Sequence, residues 1–496
     1  MFHIRTTRTG SDATAVQIVF YKNRKLIVAK HIGSTRNKEE VGLLKETARL
    51  WIETETKQQA LFSNQPNKIF VQPNQLEYQG FRYILTYESL YELCKRFRFH
   101  KFQNKILIDM VIARVVEPES KVQSLEFLKE FIGIEHKRRD LYRQLPRFLK
   151  AKNKIESYVT TIAKQEFSFD YSLVFYDVTT LYFESNETDE LRRCGFSKDN
   201  KFNQPQIMLG LLVNADGFPV GYQIFEGNKF EGNTLIPVVL RYKRKHHIKI
   251  FTVVADAAMI SSKNVDELTK ANLQYIVGAR VANLSIQSIK NIYETIGGKD
   301  NATMRIKTDN GDLICEFSAK RFAKDKHEME KSITKAEYLL KNKGSIKKVK
   351  FISNENNAYS LNKSLIEKTK LLLGMKGYYT NLNQTEFNNT MIIEKYHNLW
   401  RVEQAFRIAK SDLQMRPMYH FKKETIEAHI LICFMALAIC KYMELKTGQS
   451  TKHIIKLLKS VTDVTIINTI SKDKFTLRSK INDDVKYLLK LLAISN

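Results

Sequence analysis

At 496 residues the chain is longer than one hydrophobic core usually serves, so several structural units are expected. With 43% hydrophobic residues, 11% aromatic residues and only 8 prolines, the composition excludes a disordered or collagen-like chain. Lys and Arg number 80 against 53 Asp and Glu, a formal charge of +27 that points to a polyanionic partner; the Lys-rich proteome of an AT-rich organism is the other source of such an excess.

Residues 13–35 read as two alternating strands joined by the polar turn Lys22-Asn23-Arg24-Lys25, a small β unit at the start. The opening Met1-Phe2-His3-Ile4-Arg5 lacks the basic-then-apolar pattern of a secretory signal, so a cytoplasmic chain is expected. From about 39 to 159 the pattern turns helical. Residues 91–154 hold 16 Lys and Arg against 8 Asp and Glu, about twice the chain's average charge density, which suits a helical DNA-binding module as well as an ordinary solvated face.

Strand signals then arrive in a definite order. Residues 172–178, ending Tyr176-Asp177-Val178, form an apolar run that can be buried on both faces. Strands over 206–213 and 220–225 are linked by the hairpin turn Asn214-Ala215-Asp216-Gly217. A helix over 235–245, a strand over 249–255 ending at Asp256, a helix over 262–271 and a strand over 274–279 follow. Three antiparallel strands, then helix, strand, helix and strand, is the order of an RNase H-like core, in which the fourth strand lies beside the first and brings Asp177 next to Asp256.

Residues 281–370 break that rhythm with a Lys-rich helix over 319–343 and strand-like pieces such as 348–352, and read as an insertion. The core resumes in one long helix over 393–413, closed by Arg416-Pro417. The apolar run 428–440 is shorter than the ~18–20 residues that cross a bilayer and predicts a buried core helix, with no membrane partner. Cys94, Cys194, Cys315, Cys433 and Cys440 include no CxxC pair and the 11 histidines no HExxH, so neither a disulfide framework nor a zinc site is indicated.

Cleavage of a phosphodiester by two metal ions needs hard oxygen ligands converging on ions ~3.5–4 Å apart, which carboxylates supply without redox chemistry. Asp177 and Asp256, each at a predicted strand exit, are two candidates; each is also a common turn or capping residue. Glu403 is the third. Tyr396, Glu403 and Lys410 recur every seven residues and drift only ~20° per step around a helix, so they share one stripe. The neighbouring stripe Leu399, Val402, Phe406, Ala409 and Leu413 is apolar and would dock that helix on the sheet. Trp400 is expected in the core, and Phe322, Tyr338 and Phe351 in the insertion are candidates for base stacking.

These residues resemble bacterial insertion-sequence transposases of the DDE type, in the IS-four-like group marked by a Tyr-x2-Arg-x3-Glu-x6-Lys signature. The chain reads Tyr396-x2-Leu399-x3-Glu403-x6-Lys410, three of the four. Tyr176-Asp177-Val178-Thr179-Thr180, Glu226-Gly227-Asn228, Trp400 to Arg407 and Arg416 to His420 look like the same group. The resemblance implies an α/β fold with an RNase H-like mixed sheet flanked by helices, catalysis at Asp177, Asp256 and Glu403 with two Mg²⁺ ions (Mn²⁺ substituting), and a homodimer on transposon terminal inverted repeats and target DNA at the nucleoid. Tyr396 and Lys410 would inherit contacts to the DNA backbone; Leu399 stands where the family has Arg, and Arg407, one helical turn beyond Glu403, is the first candidate to replace it. The expected domains are 1–80, a β-hairpin unit and linker; 81–165, basic, helical and DNA-binding; 166–280 and 371–445, the two parts of the catalytic core; 281–370, the insertion; and 446–496, a helical tail. An inactive or domesticated DNA-binding descendant, or a nuclease of the same fold that cuts without joining, remains open on the residues alone.

Overall fold

The computed structural model describes residues 2–56, 75–184, 186–196, 202–259, 261–342, 349–355, 358–416, 418–469 and 472–494. Two compact units result. One comprises Met1–Leu90, Phe127–Glu135 and His453–Asn496; the other comprises Tyr91–Glu126 and His136–Lys452.

In the first unit β1 (Phe2–Arg8), β2 (Thr14–Lys22) and β3 (Lys25–Thr35) form an antiparallel sheet in chain order. Asn23 and Arg24 turn the β2–β3 hairpin, both at positive φ (51° and 60°), as a tight two-residue turn requires. The two expected strands are therefore present, with β1 added beside them. The helix α1 (Lys38–Thr56) buries Leu44 and Ala48 against Val16, Ile18 and Ile32, and Trp51 meets Phe2 edge-on at 5.5 Å. A second small sheet joins β4 (Leu76–Arg82) to β15 (Asp463–Asn468) and β15 to β16 (Lys474–Arg478). The tail expected to be helical therefore carries a hairpin between α15 (Thr451–Lys459) and α16 (Asp483–Leu491). Local periodicity does not announce a strand whose partner lies almost the whole chain away.

The helical stretch follows as α2 (Ile84–Arg96), α3 (Lys105–Val116), α4 (Lys121–Phe127), α5 (Arg138–Lys150) and α6 (Lys152–Glu166). The second unit is then built on β5 (Leu173–Tyr182), β6 (Gln206–Val213), β7 (Pro219–Glu226), α7 (Leu235–Lys245), β8 (Thr252–Ala255), α8 (Ser262–Lys270) and β9 (Gln274–Ala279). Strands β5, β6 and β7 are antiparallel; β8 lies parallel to β5, and β9 parallel to β8. The order β7-β6-β5-β8-β9 is the one expected, with the fourth strand beside the first. At the β6–β7 turn Asn214 Oδ1 accepts from the backbone N–H of Asp216 and Phe218, and Gly217 takes φ +78°.

The stretch 281–370 does not stand apart as an inserted domain. It comprises α9 (Ile286–Ile296), β10 (Thr303–Thr308), β11 (Gly311–Phe317), α10 (Ala319–Lys341), β12 (Ile352–Glu355), β13 (Ala358–Leu361) and α11 (Lys363–Leu372), and is followed by β14 (Met375–Thr380). Because β14 pairs with both β9 and β11, the sheet continues into this region as β10-β11-β14-β9. Val281, Ile292, Ile296, Leu313, Cys315, Phe317 and Met375 form the core beneath it. Lys343 and Lys348, expected at a helix end and a strand start, lie outside the described residues, as does Pro417.

Beyond β14 come α12 (Asn389–His397), α13 (Trp400–Arg407), the π turn Ile408–Asp412 and α14 (Lys423–Thr447). Among the described residues α14 alone is long and apolar enough to cross a membrane, yet its apolar stretch is 94% buried, packed on α3, α5 and β7 as a core helix. Cys194 is exposed, the other four cysteines are buried, and all five are free thiols.

Burial of α14 encloses a cluster of basic side chains. The Lys121 ammonium meets His420 Nε2 at 2.5 Å and His429 Nδ1 at 3.4 Å. Burial, with Arg114 nearby, lowers the Lys121 pKa from 10.5 to about 7. Between those two values the unfolded chain holds a proton that the folded chain lacks, so stability rises with pH across that window and the penalty is complete below it. Melting temperature is thus expected to climb from pH 7 toward pH 10, and Lys121→Met to flatten the climb; an unchanged slope in the variant would remove Lys121 as its source.

Candidate active site

The parallel ladder between β5 and β8 ends at the pair Tyr176 and Ala255. The next residues on the two strands are Asp177 and Asp256, so the carboxylates leave neighbouring backbones only roughly 4.8 Å apart. Asp177 is not at the strand exit expected for it. The β-prone run Val178-Thr179-Thr180-Leu181-Tyr182 carries β5 onward, and Asp177 sits mid-strand opposite Leu211 of β6. What ends there is β8, and its termination opens the sheet beside the half-buried Asp177.

Asp256 follows β8 directly and is exposed. Its Oδ1 accepts from the backbone N–H of Ala257 at 2.7 Å and from the Tyr396 hydroxyl at 3.2 Å. Gly278 on β9 makes the second bond feasible: a Cβ there would stand 2.6 Å from the Tyr396 oxygen and 3.0 Å from the Ala257 nitrogen.

Glu403 is exposed on α13, which packs against β5 and β6 through the buried Val402 and Phe406. The single long helix expected over 393–413 is broken twice. Leu399 N–H bonds to Tyr396 O, Arg401 to Asn398 and Val402 to Leu399, a tightened i→i−3 junction between α12 and α13, and the π turn follows Arg407. No Gly or Pro marks either break. The apolar stripe Leu399, Val402, Phe406, Ala409 and Leu413 is nevertheless buried throughout. Tyr396 and Glu403 remain neighbours: burial raises the Tyr396 hydroxyl pKa, and the negative charges of Asp256, Glu403 and Asp177 add to the rise. Of the three, Asp256 is the one that the phenol touches.

Among the described residues no three His, Cys, Asp or Glu side chains are gathered tightly enough to form a finished metal site. The donor set still fits a hard divalent cation, being three carboxylates carried by separate elements, two of them on the neighbouring inner strands β5 and β8.

Arg407 is exposed at the end of α13, one turn past Glu403, and Lys410 is half-buried in the π turn. Leu399 is buried, 7% exposed, and offers no charge. Trp400, expected in the core, is 51% exposed because it lies off the apolar stripe. In the insertion Phe351 is buried and Tyr338 exposed. The motif Glu226-Gly227-Asn228 has a steric reason: a Cβ on Gly227 would come within 2.0 Å of Gln206 O and 2.4 Å of Arg193 O, so only glycine allows the segment after β5 to close on the β6–β7 edge.

Sequence reasoning missed a polar group beside these carboxylates. Glu316 of β11 accepts from the Tyr378 hydroxyl and lies 3.2 Å from His397 Nε2, while the Lys376 ammonium of β14 lies 4.8 Å from the centre of the Tyr396 ring. The short run Lys376-Gly377-Tyr378-Tyr379 was its one local signal, and its place beside β9 comes from pairing.

The family described as "Transposase DDE domain" matches residues 168–439, more than half of the chain. The chain belongs to that family. The match begins just before β5 and ends within α14, so it takes in Asp177, Asp256 and Glu403 together. No curated protein matches the chain. Among solved structures, the piggyBac transposase synaptic complex with hairpin DNA is 10% identical, with a TM-score of 0.40, covering 77% of this chain and 80% of that one. The Mos1 transposase paired-end complex with the left transposon end is 13% identical, with a TM-score of 0.16, covering 47% and 66%. At those values the fold is read from this chain's own strand order.

For a DDE-family site the Asp256–Tyr396 bond yields an expected result. Tyr396→Phe removes a hydrogen bond to a carboxylate, about 1.5–3 kcal/mol, and should slow strand cleavage roughly 10- to 100-fold. Gly278→Ala, which displaces the whole phenol, should slow it at least as much. Single-turnover cleavage by variants with unchanged melting temperature checks both, and wild-type rates would show the bond to be idle.

Proposed function

We propose that this chain is the transposase of a bacterial insertion sequence of the Tyr-Arg-Glu-Lys group, cutting its element from DNA and joining it to a new site. The observation that supports the reading is the parallel ladder of β5 and β8, which ends one residue before Asp177 and Asp256, beside a buried Tyr396 whose hydroxyl donates to Asp256. These three carboxylates would hold two Mg²⁺ ions, or Mn²⁺ in their place. When bound, such ions polarise the scissile phosphate and stabilise charge on the attacking and leaving oxygens.

The chain's own groups have separate tasks. Tyr396 orients Asp256, and Gly278 leaves room for it to do so. The exposed Arg407 and the half-buried Lys410 contact the DNA backbone near the cut, whereas Tyr396, 6% exposed, is too buried for the backbone contact expected of it. Water attacks the phosphorus and releases a 3′-hydroxyl; that hydroxyl then attacks a target phosphodiester. The basic stretch 81–165 binds the terminal inverted repeats, and two copies hold the two ends at the nucleoid of a bacterial cytoplasm.

Purified protein, end-labelled duplex carrying the repeats that bracket the coding sequence, target plasmid and Mg²⁺ or Mn²⁺ form the test. Joined products are the expected result. Binding without cleavage would instead favour an inactive descendant, and cleavage without joining a nuclease of this fold.

A further inference from the structure

Three carboxylates around a phosphodiester repel it unless positive charge stands close by, and a protein cation can add to that of bound metal ions. On the helix that carries Glu403 the signature Arg position holds the buried, apolar Leu399, and Arg407 stands one turn beyond Glu403. The cation that stands among the acidic groups comes from a different element. Lys376, on β14, is half-buried one residue from Gly377, which pairs with Ala279 of β9. Its ammonium lies 4.8 Å from the Tyr396 ring centre and 5.4 Å from that of Tyr378. It forms no salt bridge with any described residue. Burial and Arg321 lower its pKa, while Glu316, Asp256 and Glu403 oppose the lowering, so its charge is felt by two of the three carboxylates proposed to act in catalysis.

Lys376 also borders a cleft of about 490 Å³ whose lining includes Arg280, Arg321 and Lys350. Arg321 is partly neutralised by Asp325, at 3.3 Å, and Glu328 lines the same wall. Lys376 thus belongs both to the surroundings of Tyr396 and Asp256 and to the lining of that cleft. A nucleic-acid strand crossing from one to the other passes its ammonium.

We propose that Lys376 is a catalytic residue, its ammonium donating to a non-bridging oxygen of the scissile phosphate. The role rests on the reading of Asp177, Asp256 and Glu403 as the cutting centre. It assigns to the strand β14, within a region that the helix signature does not reach, the protein cation that faces the reacting group.

The test pairs a protein change with a DNA change. Wild type, Lys376→Ala, Lys376→Gln and Lys376→Arg are bound, in Ca²⁺ buffer without cleavage, to a duplex spanning the junction that the wild type cuts. A second duplex carries a neutral methylphosphonate at that one linkage. Lys376→Ala and Lys376→Gln are expected to weaken binding of the phosphate duplex on the order of 10-fold, and to leave binding of the methylphosphonate duplex within about 2-fold of wild type. Lys376→Arg should keep most of the affinity, and single-turnover cleavage in Mg²⁺ should follow the same order. Equal losses on both duplexes, or no loss on either, would overturn the contact, and the Gln and Arg variants keep both outcomes readable if the Ala variant does not fold. A wild-type protein that cuts no junction would defeat the underlying reading of the carboxylates, whereas a cutting wild type with an indifferent Lys376 defeats only this proposal.

Discussion

Alanine at Asp177, Asp256 or Glu403 is expected to reduce strand cleavage by on the order of 10³-fold or more, each alone costing nearly as much as all three together. Each carboxylate comes from a different element, so none can replace another: Asp177 is fixed within β5, Asp256 just past β8 and Glu403 on α13. Losing one would forfeit several kcal/mol of charge stabilisation in the transition state, and a rate falls tenfold for about every 1.4 kcal/mol. DNA affinity should move the other way. Each substitution removes a negative charge facing the phosphodiester, so binding measured without divalent ions should hold or tighten. A cleavage assay beside a binding assay therefore separates loss of chemistry from loss of fold. Wild-type cleavage by any one of the three variants would remove that residue from the reaction.

A steep dependence of DNA binding on salt is the second large effect. With a formal charge of +27, the chain can neutralise many phosphates, and each neutralised phosphate releases condensed counterions. For about six to ten such contacts, affinity should fall roughly 10³- to 10⁵-fold between about 50 and 200 mM salt. A titration of K⁺ at fixed DNA gives the slope, and a flat response would mean that the positive charge serves something other than a nucleic acid. The slope also gives a count of phosphate contacts to set beside Lys376, since losing one contact should lower it by close to one unit.

Local pattern carried much of the fold. The runs 206–213, 235–245 and 274–279 coincide with β6, α7 and β9, because strands buried on both faces and an amphipathic helix write their periods into neighbouring residues. The neighbouring strands that carry Asp177 and Asp256 were legible for the same reason, although Asp177 lies within β5 and not at the exit expected for it. Glu403 was legible through the buried stripe from Leu399 to Leu413, although the two breaks in the helix were not, since the tightened junction at Asn398 and the π turn use residues with ordinary helical character.

Long-range pairing decided the rest. The chain's residues alone determined its charge, the order of its core strands, and the apolar runs that carry two aspartates and a glutamate to that core. Only the tertiary structure decided that β14 would extend the sheet beside β9, bringing Lys376, Tyr378 and, through β11, Glu316 up to the carboxylates. Only there, too, does β4 find β15. The physical reason is the same in each case: a strand's hydrogen bonds are satisfied by whichever strand lies alongside it, and nothing within a few residues of Lys376 or Leu76 records which one that is.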